Sequence, residues 1–279
     1  MRDFYSWQSL SCYDKGLQHQ SVNKPLKTTG LQYMSENILV YGATSAIVQG
    51  VLREFAKENC NFMLIARNEA RLQSVSRDLL TLGAKSVNHV SADLNDFKSH
   101  DKLWDRAKST LGTVHRVILG YGSLGSQPLC EKDYLTAESE YRLNFLSFVS
   151  ILTPISNHLE ADGMGQIAVI SSVAGDRGRK SNYIYGSAKA ALSAYLSGLR
   201  QRLAKSQVQV LTIKPGLVDT PMTADLPKNL LYASPDSVGI DIYNAMKRNK
   251  DIVYVPRFWQ LIMTVIKLIP ETIFKRLSL

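Results

Sequence analysis

Short apolar runs alternate with amphipathic stretches from Asn37 onward, and this alternation constrains the fold more than any other feature of the chain. The runs are continuously apolar, as expected for strands of a parallel sheet that is covered by helices on both faces. Between the runs, apolar residues recur at helical spacing, for example from Leu192 to Leu203. The pattern predicts an α/β fold, a doubly wound, Rossmann-like parallel sheet in a single domain. The predicted strands are Ile38–Tyr41, Asn61–Ala66, Ser86–Val90, Arg116–Leu119, Gln166–Ile170, Val208–Ile213 and Ile252–Val255.

The two ends of the chain differ from this central region. Residues 1–35 are polar and aperiodic and are predicted to form an arm outside the core, which spans residues 36–256. Residues 257–279 are predicted to form an apolar and basic C-terminal helix continuous with the domain. Its apolar run is shorter than the roughly 20 residues that span a bilayer. The basic flanks fit an anionic membrane surface, whereas a lid over a pocket or a subunit interface would explain the apolar residues equally well.

Composition narrows the classes of function. A hydrophobic content of 45% is enough for a sizeable core, and a net charge of +9 points to an anionic partner. Nucleic acid is not predicted, because the basic residues do not cluster in runs interleaved with aromatic residues. The three cysteines and five histidines lack the spacing of a disulfide framework or a metal site. With no apolar signal segment at the N-terminus, we expect a cytoplasmic protein, with the inner face of the membrane as an alternative location.

The first strand runs directly into the turn Tyr41–Val48 and then into a helix. Free backbone N–H groups and the helix dipole meet at such a junction and stabilise a pyrophosphate. Gly42 permits the tight turn, Thr44 and Ser45 offer hydroxyls and amides, and Ile47 follows at the start of the helix. The turn therefore predicts a dinucleotide site, although an ordinary strand–helix turn would share the pattern.

The end of the second strand carries the signal for cofactor choice. A carboxylate at this position binds the ribose 2′-hydroxyl of NAD, but here the strand ends at Ala66 and Arg67 follows. A guanidinium binds a 2′-phosphate through charge-assisted hydrogen bonds. The sequence therefore favours NADP(H) over NAD(H), with a solvated arginine as the alternative.

A serine, a tyrosine and a lysine follow the fifth strand at a spacing that suggests catalysis. Tyr185 lies thirteen residues after Ser172, and Lys189 follows Tyr185 at i+4, on the same face of a predicted helix. A tyrosine with a pKa near 10 is a poor acid or base at neutral pH. We expect the Lys189 ammonium to lower the pKa of Tyr185, although an isolated pair at this spacing is common in proteins.

With these residues, the Ser171–Gly175 segment and the Pro215-Gly216-x-Val218-x-Thr220 pattern, the chain resembles the short-chain dehydrogenase/reductase family from about Ile38 to Val255. The resemblance implies that a ketone is reduced to a secondary alcohol by hydride from the nicotinamide. Tyr185 would give the proton, Ser172 would hydrogen-bond the carbonyl oxygen, and Lys189 would also hold the nicotinamide ribose. Asn144 would position a water between Lys189 and solvent, and packing around Asn144 and Tyr185 implies a homo-oligomer.

The same resemblance supplies further cofactor contacts. Asp93, with Leu94 beside it, matches the family's contact to adenine, and Gly122 matches the glycine after the fourth strand. Val218 and Thr220 would flank the nicotinamide carboxamide, and Tyr185 and Lys189 complete the set. The chain departs from the family in its first turn, where Ala46 and Val48 replace two glycines. Val48 must pack between helix and strand, where glycine normally allows a closer approach.

The loop between Ser172 and Tyr185 is basic, and Arg177 and Arg179 are predicted to meet an anionic group of the substrate unless the loop is simply solvated. The spacing of this loop resembles the decaprenylphosphoryl-2-keto-ribose reductase branch of the family. That resemblance implies a polyprenyl-phosphoryl keto-pentose of cell-envelope glycan synthesis, with a flavin oxidase as partner. Two alternatives stay open, a generic soluble carbonyl or 3-oxoacyl reductase and a non-catalytic dinucleotide-binding regulatory or scaffold protein.

Overall fold

The predicted strands form one parallel sheet in the computed structural model, which describes residues 35–224 and 227–277. In this part of the chain the sheet has the order β3-β2-β1-β4-β5-β6-β7, and all neighbouring strands run parallel. Both ends of every strand lie within two residues of the prediction, and the doubly wound α/β fold is confirmed. The strands are β1 (Asn37–Tyr41), β2 (Asn61–Ala66), β3 (Ser86–Ser91), β4 (Arg116–Leu119), β5 (Gly165–Ile170), β6 (Val208–Pro215) and β7 (Ile252–Val255).

Helices cover both faces of the sheet. The α-helices of the described residues are α1 (Ala46–Ala56), α2 (Glu69–Thr81), α3 (His100–Leu111), α4 (Gln127–Cys130), α5 (Tyr134–Tyr141), α6 (Ser147–Asp162), α7 (Tyr183–Leu203), α8 (Pro235–Lys247), α9 (Phe258–Leu268) and α10 (Glu271–Phe274). Side chains of α1, α2 and α8 pack on one face with Val40, and side chains of α3, α6 and α7 pack on the other with Leu39. Because consecutive strand residues enter different hydrophobic cores, the inner strands are mostly apolar, whereas the edge strand β3 carries Ser86, Asn88, His89 and Ser91.

The order of the strands places the site. It reverses between β1 and β4, so the crossover to α1 and the loop after β4 diverge at the carboxyl ends of these two strands. Open α/β sheets bind their ligands in the crevice that forms at this point. The loops that follow β1, β4, β5 and β6 carry most of the residues predicted to act in binding or catalysis.

The C-terminal segment is broken, whereas the sequence predicted one helix over 257–279. Helix α9 ends at Leu268, and the short α10 begins after Pro270, because proline lacks an N–H donor and disfavours helical geometry in the preceding residue. Trp259 and Met263 of α9 are buried against Val173. No helix of the described residues is long and apolar enough to cross a membrane. Apart from Ser35, the predicted N-terminal arm lies outside the described residues.

Candidate active site

The loops at the carboxyl ends of β1, β4, β5 and β6 line one cavity of about 340 Å³. This is the size range of small-molecule sites. The cavity brings together most of the residues that the sequence selected, although they are far apart in the chain. Those that line it are Gly42, Thr44, Ser45, Ile47, Arg67, Asp93, Leu94, Gly122, Ser172, Arg179, Tyr185, Lys189, Val218 and Thr220.

The turn after β1 is built to receive an anion. Gly42 has a φ of +83°, and a Cβ at this position would lie 2.7 Å from the carbonyl oxygen of Gly120, so glycine is required. The Gly42 amide donates to Ile65 O at 2.8 Å, which fixes the turn against β2. Ser45 precedes α1 without a side-chain capping bond, and the first turn of α1 has no acidic residue. The first amides of this helix are therefore free to bind a pyrophosphate, and the turn fits a dinucleotide.

A second glycine compensates for Val48, the residue that departs most from the family's turn. Val48 is fully buried, and a Cβ added at Gly120 would lie 2.3 Å from its Cγ2. The valine therefore fills the space that a side chain at position 120 would need. The family usually has Asn-Asn-Ala-Gly where this chain has Leu119-Gly120-Tyr121-Gly122, so the two departures form one packing arrangement.

Two arginines lie close after the end of β2, whereas the sequence predicted only Arg67 as a contact to the 2′-phosphate. Arg67 and Arg71 are both exposed and line the cavity, and Arg71 Nη2 donates to Thr44 O at 3.0 Å. Glu69, the nearby carboxylate, pairs instead with His89 of β3 at 2.9 Å. Arg71 lies four residues after Arg67, in the first turn of α2, and this spacing could have identified it from the sequence. These residues fit a 2′-phosphate, because guanidinium groups bind phosphate in a fork geometry.

The predicted catalytic residues come from two elements: Ser172 follows β5, and Tyr185 and Lys189 lie in α7. The Ser172 hydroxyl accepts a hydrogen bond from the amide of Ala174 at 3.1 Å and shares a hydrogen bond with the Tyr185 phenol. Lys189 is 2% exposed, its Nζ donates to Ile170 O at 3.3 Å, and it lies 5.8 Å from the centroid of the Tyr185 ring. The serine, the tyrosine and the lysine are thus held together on one wall of the cavity.

Burial shifts the pKa values of both titratable groups away from charge. Burial raises the pKa of Tyr185 to about 12, opposed by its hydrogen bond with Ser172 and reinforced by the Glu140 carboxylate. Burial also lowers the pKa of Lys189 to about 7. The sequence predicted that Lys189 would lower the pKa of Tyr185, and the direction found is the opposite. Removal from water is the largest cause of both shifts, so Tyr185 keeps the proton that reduction of a ketone requires.

The buried Lys189 predicts a pH dependence of stability. Its folded pKa lies below the value of about 10.5 for an unfolded chain, so between these values only the unfolded state binds the proton. The free energy of unfolding should therefore rise from pH 7 to about pH 10, by up to ~1.4 kcal/mol per pH unit. Urea unfolding at several pH values would measure this rise, and Lys189→Met should remove it. Equal slopes for the two proteins would contradict the shift.

Asn144 is fully buried in a π-helical turn, Arg142–Leu146, between α5 and α6. Its Nδ2 donates to Glu140 Oε2 at 2.9 Å and to Ser123 O at 3.0 Å, and its Oδ1 accepts from Ser123 N at 3.2 Å. The sequence did not select Glu140 or Ser123, although Glu140 precedes Asn144 at helical spacing. These bonds fix the loop that follows β4.

Gly122 lies close to both Asn144 and Lys189. A Cβ on Gly122 would lie 2.5 Å from Asn144 Oδ1 and 3.7 Å from Lys189 Nζ. Glycine at this position therefore lets the asparagine side chain approach the lysine, behind the wall of the cavity. Asn144 is placed as a positioning residue for that wall.

The structure separates the two arginines predicted to meet substrate, because Arg177 does not reach the cavity. Its Nη1 donates to the carbonyls of Ile266 at 2.5 Å and Ile269 at 2.6 Å, and its Nη2 pairs with Glu271 at 2.8 Å. The guanidinium also lies 3.7 Å from the centroid of the Phe274 ring. Arg177 caps the carbonyl end of α9, where a cation is favoured. We therefore correct its role from substrate contact to anchor of the C-terminal helix.

Arg179 lines the cavity, and two further polar residues that the sequence did not select line it too. These are Asn182, at the start of α7, and Trp259 of α9. Trp259 comes from the predicted C-terminal helix, which thus closes one side of the cavity. No sequence spacing links it to Tyr185, so only the packing of α9 on the domain could reveal it.

Comparisons with known proteins agree with this architecture. The family model for short chain dehydrogenase matches residues 36–231. An uncharacterized oxidoreductase of Mycobacterium tuberculosis is 30% identical over 240 residues, which cover 86% of this chain and 96% of that protein. One of Streptomyces coelicolor is 32% identical over 244 residues, 86% of this chain and 95% of that protein. A short chain dehydrogenase from Burkholderia cenocepacia, solved in complex with NADP, has a TM-score of 0.74 at 22% identity and covers 89% of this chain and 100% of that one.

Proposed function

The chain belongs to the short-chain dehydrogenase family and is an NAD(P)-dependent oxidoreductase, and from this premise we propose that it reduces a ketone to a secondary alcohol with NADPH. One observation carries the proposal. A protonated, half-buried tyrosine, paired with a serine hydroxyl, lies in the same cavity as a turn that is built to bind a pyrophosphate.

The residues divide the work as follows. When bound, NADPH would supply the hydride, held by the turn at Gly42 and by Arg67. The Tyr185 hydroxyl donates its proton to the substrate oxygen as negative charge develops there. The Ser172 hydroxyl donates a hydrogen bond to the same oxygen, and this bond strengthens as the charge grows. Lys189 stabilises the resulting phenolate when it carries its proton, and solvent then restores the phenol.

Arg67 offers a test of the preference for NADPH. In Arg67→Ala the dissociation constant for NADPH should rise about 10- to 100-fold, because a charge-assisted bond to the 2′-phosphate is lost. The constant for NADH, which lacks that phosphate, should stay within about twofold. Fluorescence titration with both cofactors would measure the difference. Arg77→Ala removes an exposed arginine from α2, the helix that follows Arg67, at a position outside the cavity, and is the matched control. An equal loss for both cofactors would show that Arg67 does not bind the phosphate.

For the substrate we propose a polyprenyl-phosphoryl keto-pentose of cell-envelope glycan synthesis, which a flavin oxidase partner would supply. The resemblance of the basic loop to that branch supports the proposal, and so does Arg179, whose guanidinium lines the cavity. The test is NADPH oxidation with a prenyl-phosphoryl keto-pentose, a 3-oxoacyl thioester and simple cyclic ketones. We expect kcat/KM for the keto-pentose to exceed the others by about 100-fold. A preference for the thioester would favour a 3-oxoacyl reductase instead, and no oxidation with any compound would contradict the reductase.

For the location we propose attachment to the inner face of the membrane through α9. Its outward face exposes Phe258, Leu261, Val265 and Leu268, at spacings of three and four residues. Arg257 and Lys267, both exposed, flank this stripe. An apolar stripe with basic flanks binds the surface of an anionic bilayer.

Vesicle sedimentation would test the attachment. The protein should bind vesicles that contain anionic phospholipid. Leu261→Glu with Leu268→Glu should weaken binding at least about 10-fold, since two exposed leucines that would insert into the bilayer surface are replaced by charges. Leu80→Glu changes an exposed leucine on α2 and should have no effect. Equal binding of all three proteins would overturn this role for α9.

A further inference from the structure

Three buried polar atoms without a hydrogen-bond partner belong to residues that line the same cavity. Among the described residues five side-chain atoms are buried and unpaired, and three of them belong to residues that line the cavity. They are Arg179 Nε, Asn182 Oδ1 and Trp259 Nε1. A buried polar group without a partner is costly, so folded proteins rarely keep one unless a ligand or a water completes it. Three in one cavity indicate a prepared binding surface.

The three side chains reach the cavity from two elements, the loop before α7 and helix α9. Arg179 and Asn182 lie on the loop that joins Ser172 to Tyr185, and Asn182 directly precedes α7. The Asn182 side chain makes no capping bond to that helix, which leaves its oxygen available. Trp259 comes from α9 and lies against the backbone after β6, where a Cβ on Gly216 would be 2.0 Å from Trp259 Nε1. The three atoms thus lie near the ends of the two strands that carry the catalytic loop and the nicotinamide pattern.

The Arg179 guanidinium gives this surface a positive charge. Arg179 Nε is buried and has no hydrogen-bond partner within 35–224 and 227–277, and burial lowers the pKa of the guanidinium. Arg177, two residues earlier, is fully engaged by the end of α9. The surface therefore presents two N–H donors, one of them cationic, and one carbonyl acceptor. That set matches an anionic oxygen next to a hydroxyl group.

We propose that Arg179, Asn182 and Trp259 form a substrate subsite for an oxyanion and a neighbouring hydroxyl on the carbon atoms beside the ketone. The proposal rests on the proposed reductase function and specifies its substrate class. Arg179 and the Trp259 indole donate to the oxyanion, a phosphate or a carboxylate, and Asn182 Oδ1 accepts from the hydroxyl. Helix α9, held at its far end by Arg177, becomes part of the specificity of the enzyme.

Three small ketones separate the contributions in a binding experiment. Dihydroxyacetone phosphate carries phosphate and hydroxyl, hydroxypyruvate carries carboxylate and hydroxyl, and dihydroxyacetone carries hydroxyls alone. Calorimetric titration of the full chain with NADP⁺ present should give at least about 10-fold tighter binding of one or both anions than of dihydroxyacetone. Comparison of the two anions identifies the source of the oxyanion.

Substitutions at the three positions should act differently. Arg179→Gln should abolish the preference for anions, and Trp259→Phe, which keeps an aromatic ring but lacks the N–H, should weaken anion binding about fivefold. Asn182→Leu, of similar size, should weaken all three ketones, including the uncharged one. Arg248→Gln, at an exposed arginine, and Trp104→Phe, in the core, are matched controls that should change no constant.

The outcomes distinguish the subsite from the reductase. Wild-type protein that binds the three ketones equally, or an Arg179→Gln variant that keeps the preference, would overturn the subsite. NADPH oxidation measured with the same ketones and with cyclohexanone tests the function separately. Oxidation without any anion preference leaves the reductase standing and removes the subsite. An anion preference without oxidation of any ketone supports the subsite and contradicts the reductase. Because Trp259 lies on a different element from Arg179 and Asn182, misfolding of one variant does not remove the test.

Discussion

Replacing Tyr185 with phenylalanine is expected to lower kcat for ketone reduction about 10³-fold, while NADPH binding stays within about twofold. The substitution removes the only atom of this side chain that can donate a proton and keeps the ring. General acid catalysis contributes on the order of 10²- to 10⁴-fold, which sets the size of the loss. The phenol is half-buried, lines the cavity and is paired with Ser172, which fixes the position of its proton.

Single-turnover NADPH oxidation and cofactor titration would measure the two quantities separately. Tyr183→Phe is the matched control, because Tyr183 is an exposed tyrosine in the first turn of the same helix. It should leave both kcat and NADPH binding unchanged. Wild-type turnover in Tyr185→Phe would identify another proton donor, whereas loss of cofactor binding as well would show that the cavity had been disturbed.

The sequence predicted the fold because burial on both faces of a parallel sheet produces apolar runs that can be recognised in a short stretch of sequence. The strands β1, β2, β4 and β5 are mostly apolar runs, and each strand is followed by a stretch with helical spacing. The same holds for Tyr185 and Lys189, whose separation of four residues on one helix determines that they share a face. Local periodicity therefore predicted both the sheet and the side chains that share the wall of the cavity.

Local periodicity did not predict the directions of side chains in loops. Arg177 and Arg179 are two residues apart and chemically alike, yet one caps α9 and the other lines the cavity. The difference depends on where the end of α9 packs, about ninety residues later in the chain. Trp259 was missed for the same reason. The pKa of Tyr185 depends on burial, which the sequence does not give, so the predicted direction could not anticipate it.

The departure at Val48 leads to the second large effect, on stability. Gly120→Ala should lower the free energy of unfolding by about 3 kcal/mol, the upper part of the range for overpacking a core. The new methyl group would lie 2.3 Å from Val48 Cγ2 and 2.7 Å from Ile170 Cδ1. Valine is stiff about χ1, and Val48 is fully buried, so it cannot turn away at low cost. Urea unfolding would measure the loss.

A double-mutant cycle decides whether the two positions form one arrangement. Val48→Ala removes the methyl groups that clash, so the Gly120→Ala/Val48→Ala protein should recover about 2 kcal/mol relative to the sum of the single changes. Gly198→Ala is the control, since a Cβ there meets no atom within 4 Å, and helix propensity should stabilise it slightly. Additive losses would show that the sites are independent. Coupling would explain how the turn after β1 is kept with Val48 in place of a glycine, because Gly120, directly after β4, leaves room for the valine side chain.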